Sequence, residues 1–123
     1  MAEFKTKPTV LWIGWSMPWK LVDDLIYQSD ILDRIVVPKG FKTDFASTPR
    51  IPGMYWLIGG KGTLPAIVHD YLYIERDQTY TRRQADRVFL EAMKEAKDPK
   101  SRIIRWILYS GVRIGGRRAW RKR

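Results

Sequence analysis

The chain has 123 residues, of which 45% are hydrophobic, 13% aromatic and 29% charged, with a formal net charge of +10. That length suits one domain and leaves no room for two good cores. The absence of cysteine excludes a disulfide framework, Cys-based zinc sites and thiol nucleophiles, and it points to folding in a reducing cytosol.

The first third of the chain predicts short strands. Thr9 to Trp15 is rich in β-branched and aromatic residues, which suit a pleated surface. Trp19 to Val22, Leu25 to Tyr27 and Arg34 to Val37 follow in the same style. Pro38-Lys39-Gly40-Phe41 reads as a turn, because proline presets φ and glycine permits a positive one. Together these segments predict a small antiparallel β-meander, with Trp12, Trp15 and Trp19 in its core. The stretch from Lys42 to Gly62 holds Pro49, Pro52, Gly53, Gly59, Gly60 and Gly62. It reads as an irregular loop, kept ordered by Phe45, Tyr55 and Trp56.

Helices fill the rest. The first is expected from Thr63, a good N-cap, with Pro65 in the first turn, to about Glu75. The second opens on Thr81-Arg-Arg-Gln84, the pattern of a capping box. Its buried face is Ala85, Val88, Phe89, Ala92, Met93 and Ala96, and Asp98-Pro99 ends it. The third starts after Ser101 and is apolar on most sides, as in a helix that is central or packs on a partner. Gly115-Gly116 is expected to release it into a basic tail. The architecture is therefore α+β: an N-terminal meander, then three helices, two of them an antiparallel pair. The domain should cover residues 1–116 and the tail residues 117–123.

Charge is not spread evenly. From Pro99 onward there are nine Lys and Arg and no acid. The partner of that end should be anionic. Arg113, Arg117, Arg118, Trp120 and Arg121 are the residues expected to meet it. It could be nucleic acid, with arginines on phosphates and Trp120 stacked on a base. Anionic lipid, with Trp120 at headgroup level, fits equally, and a solvated terminus is the plainest reading. No run approaches the ~20 apolar residues that span a bilayer, and Met1 to Lys7 lacks a signal pattern. The chain is thus expected neither to lie within a membrane nor to be exported by the usual route.

The one histidine, His69, sits on the first helix with Tyr73 four residues on, on the same face. Asp70 points about 100° away around the helix. If the second helix returns antiparallel, Asp86 can face His69. A carboxylate on one ring nitrogen fixes the tautomer and leaves the other nitrogen as a base. A second carboxylate can hold a hard cation with carbonyl oxygens. His69, Asp86 and Tyr73 are therefore the catalytic candidates, and Asp70 is the metal candidate. Gly60 and Gly62, in the loop just upstream, are the source of carbonyls.

Val68-His69-Asp70-Tyr71-Leu72-Tyr73, with Asp86-Arg87 on the next helix, resembles the phospholipase A2 site. The resemblance implies His69 as the base that activates water and Asp70 as a calcium ligand. Tyr73 and Asp86 would hold the histidine, and no organic cofactor is implied. The chain departs from the secreted members of that family in having no cysteine.

A wider resemblance covers roughly Ile35 to Gly116. Val37 to Arg50, Ala66 to Tyr73 and Arg83 to Met93 are similar to a family of small uncharacterised proteins of tailed phages and prophages. It implies synthesis in a host cytoplasm and a place among virion or lysis products. It also adds Asp44, Ser47 and Arg50 as neighbours of the His-Asp pair.

Two functions follow. One is a phage-encoded, calcium-dependent lipid esterase. The other is a virion component of tail, neck or baseplate, without catalysis, whose basic end binds other virion proteins or DNA. The oligomeric state stays open. Ser47 lacks the strand–turn–helix setting of a hydrolase nucleophile, and the glycine loop lacks the Gly-Lys-Ser/Thr of a P-loop. A metal phosphohydrolase of the His-Asp type would need further histidines, and there are none.

Overall fold

A computed structural model describes residues 1–12, 19–43, 63–75, 79–97 and 101–121. Six strands precede three helices in these residues: β1 Glu3–Phe4, β2 Val10–Trp12, β3 Trp19–Leu21, β4 Leu25–Ser29, β5 Asp33–Val37, β6 Lys42–Thr43, α1 Thr63–Glu75, α2 Arg82–Ala96 and α3 Arg102–Arg121. The α+β reading holds. The N-terminal strands are antiparallel and precede the helices, as expected. The strands form two antiparallel three-stranded sheets, ordered β1-β4-β5 and β2-β3-β6. The added strands, β1 and β6, are two residues each, too short for alternation to mark them.

The β4–β5 hairpin shows why these residues pair. Leu25, Tyr27 and Ser29 alternate inward from β4, and Ile35 and Val37 do so from β5. Ser29 Oγ accepts from the amides of Ile31 and Leu32. Asp33 then closes the turn at φ 64°, a conformation that aspartate tolerates better than most residues. The expected turn at Pro38–Phe41 is present: the Phe41 amide donates to the Pro38 carbonyl at 3.1 Å, with Gly40 at φ 86°. Trp12 and Trp19 are register partners across β2–β3. Trp15 lies outside the described residues.

One core joins the hairpin to the helices. α2 sits at its centre. Thr81 Oγ1 accepts from the Gln84 amide, the Gln84 side chain accepts from the Thr81 amide, and Lys97 ends the helix in the left-handed conformation. That cap falls just before the expected stop at Asp98-Pro99, which lies outside the described residues. Its buried face matches the expected one, except that Ala96 is only half-buried and Asp86 and Leu90 join it. Tyr27 donates to Glu91 at 2.7 Å and so pins α2 to β4.

The enclosed helix is α1 and not α3. Every residue from Pro65 to Asp70 is buried, because α1 packs on α2, α3 and β5. α3 buries Leu108 and Val112 but leaves Ile103, Trp106, Ile107 and Ile114 exposed.

α3 also continues through Gly115 and Gly116 to Arg121. The two glycines do different things. A Cβ on Gly115 would meet nothing within 4 Å, whereas one on Gly116 would lie 2.5 Å from the Tyr73 hydroxyl. Gly115→Ala should therefore raise stability by about 0.5–1 kcal/mol, since it removes only backbone freedom. Gly116→Ala should lower it by about 1–2 kcal/mol, since the buried hydroxyl has to move. Thermal melts of the two variants check the opposite signs.

Candidate functional site

The first residue of the site follows from helix periodicity. His69 and Tyr73, one turn apart on α1, present their rings to α2, with centroids 4.4 Å apart. Asp86 enters from the first turns of α2. His69 Nε2 lies 2.7 Å from Asp86 Oδ1, and the Tyr73 hydroxyl donates to the same oxygen at 2.5 Å. Arg82 meets Tyr73, and Asp86, one turn further along α2, meets His69, one turn back along α1. That reversed order is the signature of two antiparallel helices. It is the face-to-face placement that the sequence pattern suggested for His69, Tyr73 and Asp86. Phe89, one turn beyond Asp86, packs on the imidazole with ring centroids 4.8 Å apart.

The other carboxylate oxygen is held by cations. Arg113, from α3, donates to Asp86 Oδ2 at 2.7 Å, and Arg82 donates to it at 3.3 Å. Arg82 also donates to the backbone carbonyls of Val112 and Arg113, both at 3.1 Å. It therefore ties Asp86 to α3 as well as to Tyr73. Asp86 is fully buried, and a buried carboxylate needs such company. Sequence reasoning missed Arg82. The signal was present, since residues four apart on a helix are neighbours. Arg113, expected to meet an external anion, has its guanidinium turned to this internal one. Trp120, from the same group, packs edge-on against Tyr73 at 5.2 Å and Tyr80 at 6.2 Å. Arg117 is exposed. The side chains of Arg118 and Arg121 lie outside the described residues.

The electrostatics follow from this arrangement. A carboxylate accepts, which makes His69 Nε2–H the donor of the 2.7 Å contact to Asp86 Oδ1. That proton is assigned from its partner. Burial, then the charge of Asp86 and the hydrogen bond to it, push the Tyr73 phenol well above its ordinary range; Arg82 opposes the shift. Tyr73 therefore stays a neutral donor to Asp86.

Asp70 is buried on the adjacent face of α1. Calcium takes six to eight oxygens, and no group of three or more His, Cys, Asp or Glu suited to a metal occurs among the described residues. Gly60 and Gly62 lie outside the described residues, as do Asp44, Ser47 and Arg50. The residues described here supply one carboxylate and do not by themselves make a calcium site. A cleft of about 330 Å³ opens elsewhere, between β5 and the end of α1, where Arg34, Tyr71 and Glu75 line it. His69 and Asp86 are not part of its wall.

A family model described as "Protein of unknown function (DUF1353)" matches residues 19–112. The match takes in β3 to β6, α1, α2 and most of α3, including the whole His69–Tyr73–Arg82–Asp86 set. The chain belongs to the DUF1353 family. No curated protein and no solved structure matches it. The match bears out membership of an uncharacterised family. The family description assigns no activity.

Proposed function

We propose that the chain is a phage-encoded hydrolase of phospholipase A2-like chemistry, with His69 as general base and lipid esters as the substrate class. The observation that carries this reading is the pair of contacts on Asp86 Oδ1: His69 Nε2 at 2.7 Å and the Tyr73 hydroxyl at 2.5 Å. They orient the imidazole with Nε2 toward Asp86, and on this reading Nδ1 is the nitrogen that takes a proton. In that role His69 removes a proton from water as the oxygen attacks the ester carbonyl. Asp86 stabilises the imidazolium. The proton then passes to the departing alcohol, leaving a free acid. Calcium, implied for Asp70 by the resemblance, would polarise the carbonyl. The setting implied is a host cytoplasm, with the virion as a second destination.

A second reading rests on a different observation. His69 and Asp86 are both fully buried, which suits a polar network that locks three helices together. On that reading the chain is a virion component without turnover, and its basic end binds other virion proteins or DNA.

Hydrolysis of labelled phospholipid vesicles, with calcium or with chelator, separates the two. Calcium-dependent release should fall by about 10²–10⁴-fold in His69→Ala, with the fold retained. If folded wild type releases nothing from several lipids, the hydrolytic reading fails. His69→Ala should then show only a stability loss of about 1–3 kcal/mol from broken buried hydrogen bonds.

A further inference from the structure

The outer face of α3 is apolar and basic at once. Ile103, Trp106, Ile107 and Ile114 are 73%, 51%, 53% and 84% exposed. Their spacing puts all four on one side of the helix, opposite buried Leu108 and Val112. Basic groups border this stripe. The Lys94 ammonium sits 5.5 Å from the Trp106 ring, and Arg102 and Arg117 are exposed. No acid occurs from residue 99 onward. Among the described residues no helix is long and apolar enough to cross a membrane. A helix packed on the protein by one face, with an exposed apolar stripe, a tryptophan and basic flanks on the other, has the make-up of a helix that lies along a membrane interface.

Charge decides between occupants. A second copy would bring a net charge of +10 against +10, and like charges oppose that contact. Nucleic acid would use the arginines on phosphates but would leave three isoleucines with no base to stack on. Anionic lipid satisfies both halves of the face: phosphates for the cations and the acyl boundary for the isoleucines.

We propose that the outer face of α3 docks the protein on an anionic lipid surface. Ile103, Ile107 and Ile114 enter the acyl boundary, Trp106 lies at headgroup level, and Lys94, Arg102 and Arg117 meet lipid phosphates. The proposal goes beyond the hydrolytic reading and does not rest on it.

The test is flotation of the full chain with vesicles of phosphatidylcholine alone or with phosphatidylglycerol added, in chelator, at low and high salt. Binding should require the anionic lipid and weaken with salt. Ile107→Asp should weaken it at least about tenfold, while Ile31→Asp, an exposed isoleucine elsewhere, leaves it unchanged. Ile114→Asp repeats the test at a more exposed position, so a folding defect in one variant does not decide the result. His69→Ala should bind like wild type, which keeps docking apart from hydrolysis. No binding to anionic vesicles would overturn the proposal, as would binding that both Asp variants leave intact. So would a dimer in sedimentation, or oligonucleotide binding, that Ile107→Asp abolishes.

Discussion

Replacing Asp86 with alanine is expected to cost about 3–5 kcal/mol of folding stability, the range for removing one partner of a buried charge cluster. One carboxylate meets two helices besides its own. It takes His69 and Tyr73 from α1 on Oδ1 and Arg113 from α3 on Oδ2, with Arg82 beside them. Truncation leaves two guanidinium groups without their carboxylate, and an imidazole and a phenol without their shared acceptor. The penalty comes mainly from those stranded groups and not from the net worth of the ion pairs, which desolvation largely offsets. Asp86→Asn should cost less, because the amide oxygen can still accept from Tyr73 or His69 while the negative charge is lost. Urea unfolding measures both. A loss under about 1 kcal/mol for the alanine variant would mean that water reaches the cluster and that it does not bind the helices together.

Truncating Phe89 to alanine should be about as damaging, at about 3–5 kcal/mol, for a different reason. The ring is fully buried on α2 and packs at 4.8 Å on the His69 imidazole. Its removal opens a cavity against the site without touching a hydrogen bond to Asp86. Phe89→Leu refills most of that volume and should cost less than about 1.5 kcal/mol. Comparable losses for leucine and alanine in the same unfolding experiment would show that ring shape, and not filled volume, matters there. The pair also bears on function. If His69 is a base, Phe89→Leu should keep most hydrolysis, because the Asp86 contacts that orient the imidazole stay in place.

Much of this molecule is written in local sequence. Thr81 and Gln84 announce the start of α2, since both halves of a capping box lie within four residues. Leu25, Tyr27, Ile35 and Val37 announce a hairpin, since alternation needs no knowledge of the rest of the chain. His69, Tyr73 and Asp86 could be grouped because one helical turn and one short connection bring them together. Arg82 was within reach of the same spacing argument.

Three features depended on the fold as a whole. The periodicity of α3 shows an apolar helix, but only its packing against α2 decides which isoleucines are covered and which face outward. Gly115-Gly116 looks like a helix end because glycine lacks helix propensity. The helix runs on because Gly116 lets α3 approach the Tyr73 hydroxyl, and Trp120 then packs on Tyr73. Arg113 and Trp120 read as residues that meet an external anion; a buried carboxylate on another helix holds Arg113 inward, and the rings of Tyr73 and Tyr80 hold Trp120. Local sequence determined the helices, the hairpin and the His69–Tyr73–Asp86 set, because their contacts are short in sequence or repeat with the helical period. Tertiary structure alone decided which basic and apolar residues of the C-terminal helix serve the core, because that depends on partners some 30 residues away along the chain.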